Sequence, residues 1–210
     1  MQKISSLVEC NNMYRKDKKE EFYTELAKKE GYPARSVYKL KEIDEKHKLF
    51  DKGDKVLDLG CAPGSWLLYV AHKVGKQGLT IGIDIDEIKI PKKENTIFLK
   101  KNVFDIKLGD WGYKFDSIIS DMAPKTTGVD FVDAGKSLEL VEQAFEVAKM
   151  FLKPGGNFVC KIFDSREATD FFVELKKYFG LAKRVKPRAV SKKSKEFYII
   201  AKDFGKKILQ

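Results

Sequence analysis

A short glycine loop in residues 56–66 is of the kind that binds nucleotide-like ligands. Apolar residues surround Asp58 and are followed by Gly60-Cys61-Ala62-Pro63-Gly64, so we expect a buried parallel strand that turns tightly into a helix near Ser65. Glycine in such a turn lets the backbone approach a ligand closely. The dinucleotide fingerprint G-x-G-x-x-G would need a glycine in place of Ala62, so the loop argues against NAD and FAD.

A second acid lies where an adenosine site needs one. Residues 79–84 form an apolar run that ends in Asp84, about 20 residues after the glycine loop, where an open α/β sheet places a carboxylate beside ribose hydroxyls. The pairing of this acid with the glycine loop is similar to the S-adenosylmethionine (SAM) site of Rossmann-like methyltransferases. The alternative is that Asp84 only caps the next helix and that the glycines only form a turn.

Strand and helix patterns alternate along the whole chain. They predict an α/β, Rossmann-like, doubly wound fold with a mostly parallel seven-stranded sheet and helices on both faces. The predicted strands cover residues 56–59, 79–84, 96–99, 115–120, 157–163, 185–190 and 197–201. The predicted helices cover residues 34–47, 66–74, 133–152 and 166–179.

Polar residues follow several of these strands and should converge. In a doubly wound sheet, ligands gather beyond the carboxyl ends of the strands, here near the switch point between the first and fourth strands. Gly60, Asp84, Asn102 and Asp121 all follow predicted strands, and Asn102 falls where an adenine base would lie.

Lys161 is the residue in the predicted core that most needs an explanation. It lies inside the apolar strand 157–163, where a charge is costly unless it has a partner or a task. Methyl transfer to an alcohol requires in-line attack and removal of a proton from a weakly acidic hydroxyl, and neither step needs a metal. A desolvated lysine releases its proton more readily than an exposed one, so Lys161 is a candidate general base.

Composition favours a basic, single-domain protein with a polyanionic partner. The 210 residues include 41 Lys and Arg against 31 Asp and Glu, a formal net charge of +10 that is typical of nucleic-acid binding. No apolar run approaches the ~20 residues that cross a bilayer, and the first thirty residues are strongly charged, so we expect a cytoplasmic protein without a membrane partner. The spacing of Cys10, Cys61 and Cys160 predicts neither disulfides nor a metal site.

Five motifs in unbroken order resemble those of the FtsJ-like ribosomal RNA 2′-O-ribose methyltransferases. They are Ser36–Leu40, Asp58–Trp66, Ser120–Pro124, Val159–Phe163 and Lys195–Tyr198, spread over residues 30–202. The resemblance implies SAM as cofactor and, as substrate, a uridine ribose in large-subunit (23S-type) ribosomal RNA. It also implies a catalytic tetrad, which here is Lys39, Asp121, Lys161 and Glu196.

The resemblance also implies which residues of this chain bind the cofactor. The expected cofactor-binding residues are Gly60, Pro63, Gly64, Ser65, Trp66, Asp84, Asn102 and Asp121. The sequence departs from the family pattern at Ser65, which replaces a second glycine, and at Asn102, which replaces an acid that contacts adenine. Within the tetrad, Lys39 would repel a proton from Lys161, whereas the two carboxylates would hold that proton, and the sequence leaves this balance open.

A basic run in residues 183–195 precedes Glu196 and would place phosphate-binding charge beside the tetrad. The expected RNA-binding residues are Arg35, Lys39, Lys186, Arg188, Lys192 and Lys193. The alternative is a solvated pair of basic strands.

The leading hypothesis is therefore a monomeric ribosomal RNA methyltransferase whose partner is ribosomal RNA or the large ribosomal subunit. Residues 1–30 should form a charged arm or short helix, and residues 31–210 a single methyltransferase domain. Two alternatives remain: a transfer-RNA 2′-O-ribose methyltransferase, and a ribosome-assembly factor that binds SAM without catalysis.

Overall fold

A seven-stranded sheet forms the centre of the fold. The computed structural model describes residues 18–191 and 193–206. The strands are β1 (Lys55–Leu59), β2 (Leu79–Asp84), β3 (Thr96–Lys100), β4 (Phe115–Ser120), β5 (Leu152–Phe163), β6 (Phe179–Val185) and β7 (Glu196–Phe204). Their order in the sheet is β3-β2-β1-β4-β5-β7-β6. The expected switch point between the first and fourth strands is confirmed, since β1 lies between β2 and β4.

Five α-helices accompany the sheet in the described residues. They are α1 (residues 18–29), α2 (Val37–His47), α3 (Ser65–Val74), α4 (Asp130–Phe151) and α5 (Arg166–Lys176), and a short 3-10 helix covers Val103–Asp105. In this part of the chain no helix is long and apolar enough to cross a membrane. The expected charged arm falls partly on residues 1–17, which lie outside the described residues, so the division of the chain at residue 30 stays a prediction.

Strand direction agrees with the predicted α/β class. Strands β3, β2, β1, β4 and β5 are parallel neighbours, whereas β7 runs antiparallel to both β5 and β6. A mostly parallel sheet is therefore confirmed, and the reversal at β7 becomes important for the site.

Alternate residues of the central strands pack on opposite faces of the sheet, as the period of two along a strand requires. Leu57 and Ile118 belong to a core cluster with α4 and α5. Val56 and Ile119, their neighbours in sequence, belong to a second cluster with α2 and α3. Helices therefore cover both faces, as predicted.

The carboxyl-terminal part of the chain differs from the prediction. The predicted strand 185–190 is wrong: β6 is Phe179–Val185, and the predicted helix 166–179 ends at Lys176. Phe179 is fully buried against Phe158 and Phe204, so core packing favours a strand there over helix continuation. Pro187 lacks the N–H that a ladder needs, which explains why β6 does not continue through residues 186–190.

Candidate active site

Three tetrad residues, Asp121, Lys161 and Glu196, belong to the adjacent strands β4, β5 and β7 or directly follow them, and the fourth, Lys39, lies on α2. Asp121 lies two residues after Ile119, and Lys161 two residues after Val159, so both project toward α2 and α3, the face on which Ile119 and Val159 pack. The antiparallel register sets Lys161 opposite Tyr198. Glu196, two residues before Tyr198, shares this face, and the reversal of β7 therefore brings its carboxylate back to the site.

Two ion pairs join the four predicted catalytic residues. The Nζ of Lys161 lies 3.1 Å from Oδ1 of Asp121, and the Nζ of Lys39 lies 2.6 Å from Oε1 of Glu196. Lys161 also donates to the backbone oxygen of Asp121 at 2.5 Å and is 8% exposed. The structure therefore brings together all four side chains that the resemblance grouped, and it supplies the partner that a lysine within a central strand requires.

Tyr198 links the two ion pairs. Its hydroxyl lies 2.7 Å from Oδ1 of Asp121 and 2.9 Å from Oε1 of Glu196. Burial, together with the charges of Asp121 and Glu196, raises the pKa of Tyr198 well above its ordinary value, so the phenol keeps its proton and donates it. The two carboxylates share the single hydroxyl proton of Tyr198, and this shared contact sets the distance between them.

Sequence reasoning missed Tyr198 as a site residue. Its position two residues after Glu196, in a motif already singled out, was the signal that could have found it, because side chains at i and i+2 of a strand share a face.

Asp121 is held as a carboxylate. Burial alone favours its protonated form, but the charges of Lys161 and Lys39 and the hydrogen bonds from Tyr198 and Lys161 outweigh it and lower the pKa of Asp121 below its ordinary value. An ionised Asp121 can orient both Lys161 and Tyr198.

The start of α3 positions the start of α2, which carries Lys39. Ser65 Oγ accepts a hydrogen bond from the backbone N–H of Ala34 at 2.7 Å, and the indole N–H of Trp66 donates to the backbone oxygen of Ser36 at 2.9 Å. Both side chains are buried, and the Trp66 ring lies 5.9 Å from the ring of Tyr198. The predicted cofactor residues Ser65 and Trp66 thus connect the glycine loop to the tetrad.

The glycine loop forms a cradle that only glycine can build. Gly60 and Gly64 have φ values of +73° and +108°. A Cβ at Gly60 would lie 2.2 Å from Cγ of Met122, and one at Gly64 would lie 2.5 Å from Cγ2 of Ile90. Asp84 accepts the backbone N–H of Ala62 at 2.8 Å, which holds the loop against the end of β2. The exposed Pro63 lies at the tip of the same loop.

Asp58 lies beneath this cradle, and apart from a weak interaction with the backbone N–H of Leu67 it has no charged partner among the described residues. It is fully buried, and neither carboxylate oxygen meets a donor in full hydrogen-bond geometry. Burial, reinforced by the charges of Asp121 and Asp84, raises the pKa of Asp58 well above its ordinary value. An uncompensated buried acid beside an open backbone cradle fits a ligand that carries a positively charged group, such as the ammonium of SAM.

Asn102 lies at the sheet edge as expected, but its side-chain oxygen already accepts a hydrogen bond within the protein. Its Oδ1 accepts the backbone N–H of Phe104 at 3.1 Å and caps the 3-10 helix. The side chain is exposed, so its amide nitrogen and the second lone pair of the oxygen face solvent. A role for Asn102 in contacting a base stays a prediction.

Two of the predicted RNA-binding residues, Arg35 and Arg188, lie next to α1. Arg35 pairs with Glu20 of α1 at 2.9 Å, and Lys19 of α1 donates to the backbone oxygen of Arg188 at 2.5 Å. The N–H of Arg188 in turn donates to Glu42 of α2. The structure thus brings Arg35 and Arg188 to one surface, next to the helix that carries Lys39, although α1 had no predicted role in binding.

Three further predicted RNA-binding residues, Lys186, Lys192 and Lys193, fall in the connection between β6 and β7. Lys186 donates to the backbone oxygen of Ser194 at 2.5 Å, and Lys193 is exposed. Lys192 lies outside the described residues. We call Arg35, Lys186, Arg188 and Lys193 the basic surface.

Residues 32–204 match the model of the FtsJ-like methyltransferases. A protein from Desulfatibacillum aliphaticivorans named ribosomal RNA large subunit methyltransferase E is 46% identical over 181 residues, which cover 85% of this chain and 87% of the relative. A protein of the same name from Bdellovibrio bacteriovorus is 42% identical over 184 residues, which cover 85% and 93%. A crystal structure assigned to a ribosomal RNA methyltransferase from Plasmodium falciparum has a TM-score of 0.72 and 26% identity, covering 83% of this chain and 99% of that one.

Proposed function

Because the chain belongs to the FtsJ-like methyltransferase family, we propose that it transfers the methyl group of SAM to the 2′-hydroxyl of a uridine ribose in large-subunit ribosomal RNA. The observation that carries the proposal is the pair of linked ion pairs, Lys161–Asp121 and Lys39–Glu196, next to a glycine cradle. The relatives named ribosomal RNA large subunit methyltransferase E support the choice of substrate.

The cradle residues would hold SAM, which supplies an electrophilic methyl group on a sulfonium centre. The backbone at Gly60 and Gly64 leaves room for close approach, and Asp58 would compensate the ammonium of its methionine part. Asp84, at the end of β2, is placed to accept the ribose hydroxyls, and Asn102 can contact the base.

Lys161 would act as the general base. As the ribose oxygen attacks, its proton passes to the Nζ of Lys161, which must be neutral at that moment. The ion pair with Asp121 holds the Nζ in position. Because a general base acts only in its unprotonated form, we expect the methyl-transfer rate to rise with pH.

The other site residues would position the reacting groups. Asp121 orients Lys161, and Tyr198 couples Asp121 to Glu196, which holds the ammonium of Lys39. Holding the hydroxyl and the methyl group in line supplies a large share of the acceleration in such reactions. Lys39 and Glu196 would thus orient the ribose hydroxyl.

The basic surface would bind the RNA backbone beside the tetrad. Arg35 lies one turn before Lys39, and Arg188 contacts the same two helices, so phosphate groups flanking the target ribose would meet positive charge. We place the reaction in the cytoplasm, with ribosomal RNA or the large subunit as the partner.

Transfer of labelled methyl from SAM to separated RNA classes tests the proposal. The substrates are large ribosomal subunits that lack the modification, RNA extracted from them, and transfer RNA. Label on a ribose of large-subunit RNA is the expected result. Label confined to transfer RNA would change the substrate, and SAM binding without transfer to any RNA would contradict the enzymatic proposal.

A further inference from the structure

The start of α4 exposes an apolar surface that the fold does not use. Val129, Phe131 and Val132 are 56%, 81% and 39% exposed, three apolar side chains within four consecutive residues. We call them the apolar ridge. Single exposed apolar residues are ordinary, but a contiguous group beside a functional site indicates a binding surface.

The apolar ridge borders the site. The loop that begins after Asp121 leads directly into it, and Asp130 pairs with Lys195, the neighbour of Glu196, at 2.6 Å. A cavity of about 280 Å³ lies beside Phe131, and Asp164 forms part of its wall. Asp164 follows Lys161 by three residues, which span at most about 10 Å. A ligand on the apolar ridge would therefore be a close neighbour of the reacting ribose.

The loop under the apolar ridge is held in place. The buried carboxylate of Asp133 accepts three hydrogen bonds, from the N–H and Oγ1 of Thr127 at 2.7 and 2.8 Å and from the N–H of Gly128 at 3.1 Å. A surface that is already ordered loses little conformational entropy when a ligand binds.

The surroundings of the apolar ridge suit RNA. Lys125 and Lys136 are exposed and have no ion-pair partner among the described residues, so they are available to phosphates. The acids of the cavity wall, Asp130, Asp164 and Glu167, can accept hydrogen bonds from amino groups on a base edge. Unpaired bases of recognised RNA commonly stack on exposed aromatic rings.

We propose that Phe131 is a stacking platform for an unpaired nucleobase that neighbours the methylated nucleotide, and that the adjacent carboxylates favour a base with an exocyclic amine. This inference rests on the proposed function, since it needs RNA at the tetrad. It assigns specificity for the sequence next to the target to the start of α4.

Two measurements test the platform. The first is steady-state kinetics of Phe131→Ala and Phe131→Trp, which gives the KM for RNA, the KM for SAM and the kcat of each variant. The control is Leu108→Ala, because Leu108 is also exposed, at 78%. Stacking on an aromatic ring predicts that Phe131→Ala raises the KM for RNA about 5- to 150-fold and leaves the KM for SAM unchanged. Phe131→Trp should retain wild-type affinity, and Leu108→Ala should behave as wild type.

The second measurement is photo-crosslinking to large subunits with p-azidophenylalanine in place of Phe131. A crosslink to RNA next to the methylated nucleotide is expected. A crosslink to a ribosomal protein, no crosslink, or an unchanged KM for RNA in Phe131→Ala would overturn the platform. The wild type must first transfer methyl to the same substrate; if it does not, the proposed function has failed rather than the platform.

Discussion

Replacing Tyr198 by phenylalanine removes one atom from the centre of the site. The ring stays packed against Trp66 in the core, whereas Asp121 and Glu196 both lose the hydroxyl that lies between them. The two ion pairs remain, but the group that couples them is gone. The variant therefore tests whether coupling of the two pairs matters for methyl transfer.

The structure sets the size of the effect. A hydrogen bond to a charged group contributes about 1.5–3 kcal/mol to stability, and Tyr198 is fully buried, so solvent does not replace it. For a protein of this size, that loss lowers Tm by about 3–12 °C. If the same energy positions the carboxylates during the reaction, kcat falls about 10- to 150-fold with little change in the KM for SAM.

The pH dependence of protein stability shows whether the hydrogen bond from Tyr198 to Asp121 causes the loss of stability. Because the folded-state pKa of Asp121 lies below its ordinary value of 3.8, its contribution to stability is present above that value and is lost as pH falls through the folded-state pKa. The hydrogen bond from Tyr198 is one cause of the lowering, so the stability difference between wild type and Tyr198→Phe should be full at pH 7 and shrink in acid.

Thermal unfolding from pH 3 to 8 and steady-state methyl transfer are the assays. The control is Tyr178→Phe, since the Tyr178 hydroxyl has no hydrogen bond within the described residues. A Tyr198→Phe protein with wild-type Tm and wild-type kcat would refute the coupling.

Three further substitutions probe the cradle and its supports. Asp58→Asn should raise the Tm of the SAM-free protein, because it removes a buried carboxylate that has no charged partner. It should also weaken SAM binding at least tenfold, as measured by calorimetry, and an unchanged affinity would exclude the proposed contact. Gly64→Ala should weaken SAM binding and lower Tm, since its Cβ would meet Ile90 at a φ of +108°, and wild-type values in both assays would contradict the cradle. Trp66→Phe should lose the hydrogen bond to Ser36 and reduce kcat several-fold while SAM affinity, measured in parallel, holds.

Much of the fold was predictable because its signals are local. Buried parallel strands are apolar runs, and six of the seven strands were predicted at or near their observed positions. The carboxyl-terminal part failed because residues 177–185 carry no clear period, and burial of Phe179 in the tertiary core decides their conformation. Local sequence does not contain that contact.

The functional site also has a part that local sequence predicts and a part that depends on long-range contacts. The family motifs grouped Lys39, Asp121, Lys161 and Glu196, and the structure brings them together as two ion pairs. The Lys39–Glu196 pair depends on the reversal of β7, which no local pattern indicates. The role of Tyr198 follows from the same reversal.

Long-range contacts also changed how other predicted residues are interpreted. Ser65 was expected beside the cofactor, which stays a prediction, and its side chain also holds the residues that precede α2. Helix α1 looked like a solvated segment, yet it contacts Arg35 and Arg188. Such contacts join residues far apart in the chain, so sequence spacing does not indicate them.

Lys161→Ala tests the central claim most directly, through single-turnover methyl transfer to large-subunit RNA between pH 6 and 10. The control is Lys153→Ala, which removes a half-buried lysine, paired with Asp116, from the same strand β5. We expect Lys161→Ala to bind SAM and to react ~10²–10⁴-fold more slowly than wild type, without the rise in rate with pH that wild type and Lys153→Ala show. A folded Lys161→Ala protein that reacts within tenfold of wild type and keeps that rise would contradict the assignment of Lys161 as the base.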